Sequence, residues 1–73
     1  MSPKVGAVYD PEELALLGQV FDRAIETLQP SMRTPYNRTQ MARNILACAA
    51  LGERDSFELE LAAMMNLKVT VVA

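Results

Sequence analysis

Gly52-Glu53-Arg54-Asp55-Ser56-Phe57-Glu58 sets a helix stop beside a helix start. Gly52 takes the left-handed backbone that closes a helix at little cost. Asp55 is a good N-cap, and Glu58 three positions on completes a capping box with it. The stretch therefore predicts two helices joined by a short charged turn.

Upstream lies helix 2, predicted over 35–51. Two starts compete: Thr34 followed by Pro35, and Asn37 with Gln40 three residues later. Its inner face reads Met41, Ala42, Ile45, Cys48 and Ala49, with Leu46 at one edge. The small residues on that face let a neighbouring helix approach closely. Downstream lies helix 3, predicted over 56–67. At about 100° per residue its apolar positions fall into two sets. Phe57, Leu61 and Met64 form one, with Met65 at its edge, and Leu59, Ala63 and Leu67 form the other. The first holds the aromatic and is expected to face the core.

Nearer the N-terminus, Asp10-Pro11-Glu12-Glu13 repeats the start signal. Asp10 caps, Pro11 suits the first helical position and Glu13 closes a box. Helix 1 is predicted over 11–29, stopping before Pro30. Its inner stripe is Leu14, Leu17, Phe21, Ala24, Ile25 and Leu28, with Leu16 and Val20 off it. No Asn-Gly or Asp-Gly hairpin signal competes. The fold class is all-α, a three-helix bundle of short connections. Residues 10–73 form a single helical domain behind a mobile lead-in at 1–9 that carries Pro3 and Gly6. The short apolar tail after Leu67 has strand propensity. It packs on the helices, pairs with a second chain or is loose.

With 73 residues, the chain buries only about 60% of its unfolded surface, so its stability is marginal. Disulfides, metals or self-association are the usual supports. Cys48 stands alone and there is no His, so neither a disulfide scaffold nor a nitrogen/sulfur metal site is expected. No cofactor is expected either. Self-association remains, most simply as a symmetric dimer. No apolar run approaches the ~20 residues a bilayer needs. The first residues lack a signal-peptide core, which makes the cytoplasm the expected setting.

Catalysis has little to work with. General acid/base chemistry usually needs His. Cys48, among Ile45, Leu46 and Ala49, reads as a buried, inert thiol. Gly-x-Ser-x-Gly and phosphate-cradling glycine loops are absent from the sequence. The chain is therefore expected not to be an enzyme.

The charges are patterned. Residues 1–26 hold Lys4 and Arg23 against Asp10, Glu12, Glu13, Asp22 and Glu26, a net of −3. Residues 27–52 hold Arg33, Arg38 and Arg43 with no acid, a net of +3. Residues 53–73 hold Arg54 and Lys68 against Glu53, Asp55, Glu58 and Glu60, a net of −2. The basic middle reads either as an anion site near the start of helix 2 or as internal pairing with the acidic flanks. Arg38 and Arg43 point to different sides of helix 2, which favours pairing. Tyr36 is either a recognition residue or a staple over the first turn. A helix-turn-helix around Gly52 fails on charge, because Asp55, Glu58 and Glu60 would repel DNA phosphates.

Four runs carry a resemblance: Asp10-Pro11-Glu12, Phe21-Asp22-Arg23-Ala24, Ala42-Arg43-Asn44-Ile45-Leu46 and Gly52-Glu53-Arg54-Asp55. From Tyr9 to Ala63 the chain resembles a group of uncharacterised short helical proteins of alphaproteobacteria. That group often has Trp at the position of Ile25. The resemblance implies a self-standing bacterial domain and assigns no activity to any residue.

The expected function is a non-enzymatic protein–protein interaction or regulatory module, cytoplasmic and homodimeric, with a further protein partner of unassigned identity. Leu59, Ala63 and Leu67 are the expected interface, extended by Leu16 and Val20. The alternative is a nucleic-acid or phosphate binder using Arg33, Tyr36, Arg38 and Arg43.

Overall fold

Asp10 and Glu13 open the first helix by exchanging hydrogen bonds. The Glu13 N–H donates to Asp10 Oδ1 at 2.8 Å, and the Asp10 N–H donates to Glu13 Oε1 at 3.1 Å. In this computed structural model, which describes residues 9–69, they begin α1, Pro11–Thr27. Residues 1–8 of the expected lead-in at 1–9, and the tail beyond Val69, lie outside the described residues.

α1 ends before the predicted Gln29. Pro30 holds Gln29 in an extended conformation. Thr27 Oγ1 donates to the Ala24 carbonyl at 2.7 Å, and Leu28 is already extended. A 3-10 turn over Pro30–Met32 follows. Thr34, not Asn37, then caps α2, Pro35–Ala50, its hydroxyl accepting the Asn37 N–H at 3.2 Å.

Gly52 stops α2 as expected, at φ +101°. Its N–H reaches the Ala49 carbonyl at 2.9 Å, and the Glu53 N–H reaches that of Cys48 at 3.4 Å, the paired bonds of a Schellman ending. Asp55 Oδ1 caps α3, Ser56–Ala63, accepting from Phe57 and Glu58 N–H at 2.8 and 3.2 Å. The return bond comes from a different glutamate than predicted. Glu53 Oε2, not Glu58, accepts the Asp55 N–H at 3.1 Å. α3 is also shorter than predicted. Asn66 turns left-handed at φ +61°, and Asn44 Nδ2 donates to the carbonyls of Ala63 and Met65.

The result is an all-α three-helix bundle. Its core is Leu17, Val20, Ala24 and Ile25 of α1, Met41, Ile45 and Ala49 of α2, and Leu59 and Ala63 of α3. Two helices are rotated from the expected faces. On α1, Val20 is buried, Phe21 is half-buried and Leu14 is 54% exposed. At α3 and the residues just after it the second set takes the core, and of the first set Met64 alone packs partly against it. Leu59 and Ala63 are fully buried, whereas Phe57, Leu61 and Met65 are exposed. An eight-residue helix takes its rotation from its ends, and both ends of α3 are tied to α2 side chains or to the turn before it. Ala63 fits the close approach that a bulkier residue would block.

Candidate interaction surface

The cations come first, because the sequence offered them as contacts. Arg33 lies just beyond α1 and turns back to it. Its Nε donates to the carbonyls of Ile25 at 3.0 Å and Leu28 at 3.1 Å, and its Nη2 to that of Glu26 at 3.2 Å. It adds a donor to carbonyls at the helix end, that of Ile25 also accepting the Leu28 N–H, and its positive charge suits the negative end of the dipole. Arg33 is therefore committed inside the fold rather than offered to a ligand.

Arg54 does the same on a larger scale. Its Nη1 donates to the carbonyls of Ala49 at 2.7 Å and Glu53 at 2.8 Å. Its Nη2 and Nε both reach Glu13 Oε2, at 2.7 and 3.1 Å. Its guanidinium carbon also lies 5.7 Å from the Tyr9 ring centre. One side chain thus joins the start of α1 to the α2–α3 turn. The sequence reading passed over it, because a glycine stop and an aspartate start already accounted for Gly-Glu-Arg-Asp.

The Arg54 hydrogen bond, helped by the Asp10 N–H, holds the Glu13 carboxyl below its ordinary value. A lowered folded-state pKa adds stability above the unfolded value, and that stability is lost as pH falls through the folded value. Replacing Glu13 by glutamine is therefore expected to flatten the fall in melting temperature between about pH 5 and pH 3. Thermal melts across that range check this; parallel profiles for variant and wild type would contradict it.

Asn37 is fully buried. Its Nδ2 donates to the carbonyls of Met32 and Lys68, both at 2.8 Å, and its Oδ1 accepts the Lys68 N–H at 2.8 Å. With Asn44, whose Oδ1 accepts from Gln40 Nε2 at 2.9 Å, it fastens the chain after α3 onto α2.

The expected cationic set does not converge. Tyr36 and Arg43 line one shallow groove with Pro35, Thr39 and Gln40, and the Lys68 ammonium sits 4.5 Å from the Tyr36 ring centre. Arg33 is spent on α1. Arg38 is exposed but does not line that groove.

The expected interface residues are placed differently too. Leu59, Ala63 and Val20 are core, and Leu16 and Leu67 are partly buried against it. Leu59, Ala63 and Val20 are spent on the core, while Leu16 and Leu67 keep part of their surface exposed. The apolar surface lies elsewhere. Leu14, Leu17, Gly18 and Phe21 of α1 and Ala42, Ile45 and Leu46 of α2 line an open groove of about 240 Å³. No α3 residue enters it. Leu46 is 47% exposed, and a Cβ built on Gly18 meets nothing within 4 Å. The second apolar strip is Phe57 and Leu61 on the outer side of α3, with Met65 exposed in the turn after it.

Among the described residues, no helix is long and apolar enough to cross a membrane, and no group of three His, Cys, Asp or Glu is placed to hold a metal. Comparison with protein-family models, with curated proteins and with solved structures finds no match to this chain.

Proposed function

We propose that this chain is a small non-enzymatic interaction module that works in the cytoplasm as a homodimer. The observation that carries the reading is the open groove between α1 and α2, with Leu14, Phe21 and Leu46 left at its rim by a core too small to cover them. The polar residues best suited to chemistry point the same way, because Arg33, Arg54, Asn37 and Asn44 are all engaged with backbone or with Glu13. A protein of this size gains stability from a second copy without disulfide or metal. A lone free thiol at Cys48 suits a reducing compartment.

Sedimentation equilibrium from low to high micromolar protein tests the reading. A mass of twice the chain, with a melting temperature that rises with concentration, is expected. A monomer throughout that range would overturn it.

A further inference from the structure

We propose that the α1–α2 groove is the dimer interface and that the two-fold axis runs along the helices, so that α1 of each protomer lies against α2 of its partner. The proposal rests on the self-association argued above and adds the face and the geometry.

The groove has the form of a bundle that lacks its next layer. Leu17 and Ile45 floor it, Leu14, Phe21 and Leu46 rim it, and α3 lies away from it. Gly18 of α1 and Ala42 of α2 both line it, and residues this small let a second helix pair settle close.

Charge selects the occupant and its direction. α1 carries Glu12, Glu13, Asp22 and Glu26. Glu13 is taken by Arg54, and the single cation of α1, Arg23, faces Glu60 of α3 at 3.8 Å. α2 carries Arg38 and Arg43 and no acid. Among the described residues, Asp22, Glu26, Arg38 and Arg43 make no ion pair within the chain. At about 100° per residue, Asp22 lies on the Gly18 edge of α1, and Arg38 shares a side of α2 with Ala42 and Ile45. The groove therefore runs between an acidic helix and a basic one.

Two symmetric ways of closing it differ in which helices meet. An axis across the helices sets α1 on the partner's α1, acid against acid, and α2 on the partner's α2. An axis along the helices sets α1 on the partner's α2. This second arrangement sets the acidic α1, with Asp22 on its groove edge, against the partner's basic α2, with Arg38 on its groove side. Opposite charges meet twice per dimer, and like charges are kept apart. The α3 strip of another copy is a poorer occupant. It brings Glu58 towards the acidic edge, and a head-to-tail contact of that kind does not close into a dimer.

The test is sedimentation equilibrium on the wild type and on five variants, Leu46→Glu, Phe57→Glu, Asp22→Arg, Arg38→Glu and the double exchange Asp22→Arg with Arg38→Glu. All these positions are exposed, and far-UV melts confirm that each variant folds. Leu46→Glu is expected to weaken the dimer by at least about 100-fold, since it puts a charge on an apolar rim that the partner would bury. Either single exchange should weaken it about tenfold, and the double exchange should recover most of the loss. Phe57→Glu should leave the dimer unchanged. A dimer tightened by Asp22→Arg would mean that α1 meets α1, and would overturn the geometry. A dimer that survives Leu46→Glu but not Phe57→Glu would move the interface to α3, overturning this proposal and leaving self-association intact. A monomeric wild type would overturn both, and if Leu46→Glu then still lowered its melting temperature, the groove would be covered by the chain's own terminal segments.

Discussion

Replacing Leu59 by alanine is expected to cost about 3 kcal/mol of unfolding free energy, within the range of about 2–5 kcal/mol for a fully buried leucine. Leu59 has no solvent exposure and is among the largest fully buried side chains of the described residues. With Ala63 it makes up the whole buried face of α3. Alanine leaves a cavity that Ala63, the one other buried side chain of α3, is too small to fill. A domain of this length has a total stability of only about 4–11 kcal/mol, so the loss is a large share of it. Urea titration should show a lower midpoint with an unchanged slope. Phe57→Ala supplies the control. Phe57 is 64% exposed, and its truncation should cost less than about 1 kcal/mol. Similar losses at the two positions would mean that α3 is turned the other way.

The second large effect is expected at Asn37. Alanine there removes the partners of the Met32 carbonyl and of both backbone groups of Lys68. Each buried polar group left unpaired costs about 1–3 kcal/mol, and partial entry of water holds the total to about 3 kcal/mol. Asn37→Asp separates size from hydrogen bonding. A carboxylate can still accept the Lys68 N–H, but its other oxygen faces two carbonyl oxygens where the amide had donated. Burial and those carbonyls disfavour the charged form, so its folded-state pKa is raised. The folded protein then binds more protons than the unfolded one, and stability falls as pH rises from about 4 towards neutrality. Glu13 gives the wild type the opposite slope at the acid end. Thermal melts at pH 4 and pH 7 read both; a variant that is no less stable at neutral pH than at pH 4 would contradict the buried network.

Helix starts and stops were legible because they are local. Asp10, Thr34, Gly52 and Asp55 act on backbone within a few residues of themselves, and each does so in the structure. Which way a helix faces depends on its neighbours. Leu14 and Val20 both lie within reach of the inner side of α1, and α3 lies on the side of Val20, which shares a pocket with Ser56 and Glu60. For α3 the aromatic was a misleading guide. Phe57 sits in the first turn, beside the cap, and the closest approach falls to Leu59 and Ala63.

The polar clasps were illegible for a different reason. Arg54 meets Glu13 across 41 positions, and Asn37 meets Lys68 across 31. No spacing rule links residues so far apart. Asn37 also looked like a second helix start, which hid its part in the interior. The groove was hidden too, because Leu14, Phe21 and Leu46 read as inner or edge positions and become surface only once α1 and α2 stand apart.

The grip of Asn37 on Lys68 has a consequence for how this sequence can drift. The carboxamide behaves as a peptide group would, meeting one N–H and one C=O of the main chain and nothing of the side chain. Asn44 likewise holds the main chain at Ala63 and Met65. Lineages that give up the Lys68 ammonium over the Tyr36 ring can therefore exchange the side chain at position 68 while the segment keeps its path, and only proline, which lacks the N–H, is barred. The burden of inheritance falls on α2, where Asn37 and Asn44 have no substitute that both donates and accepts at that length.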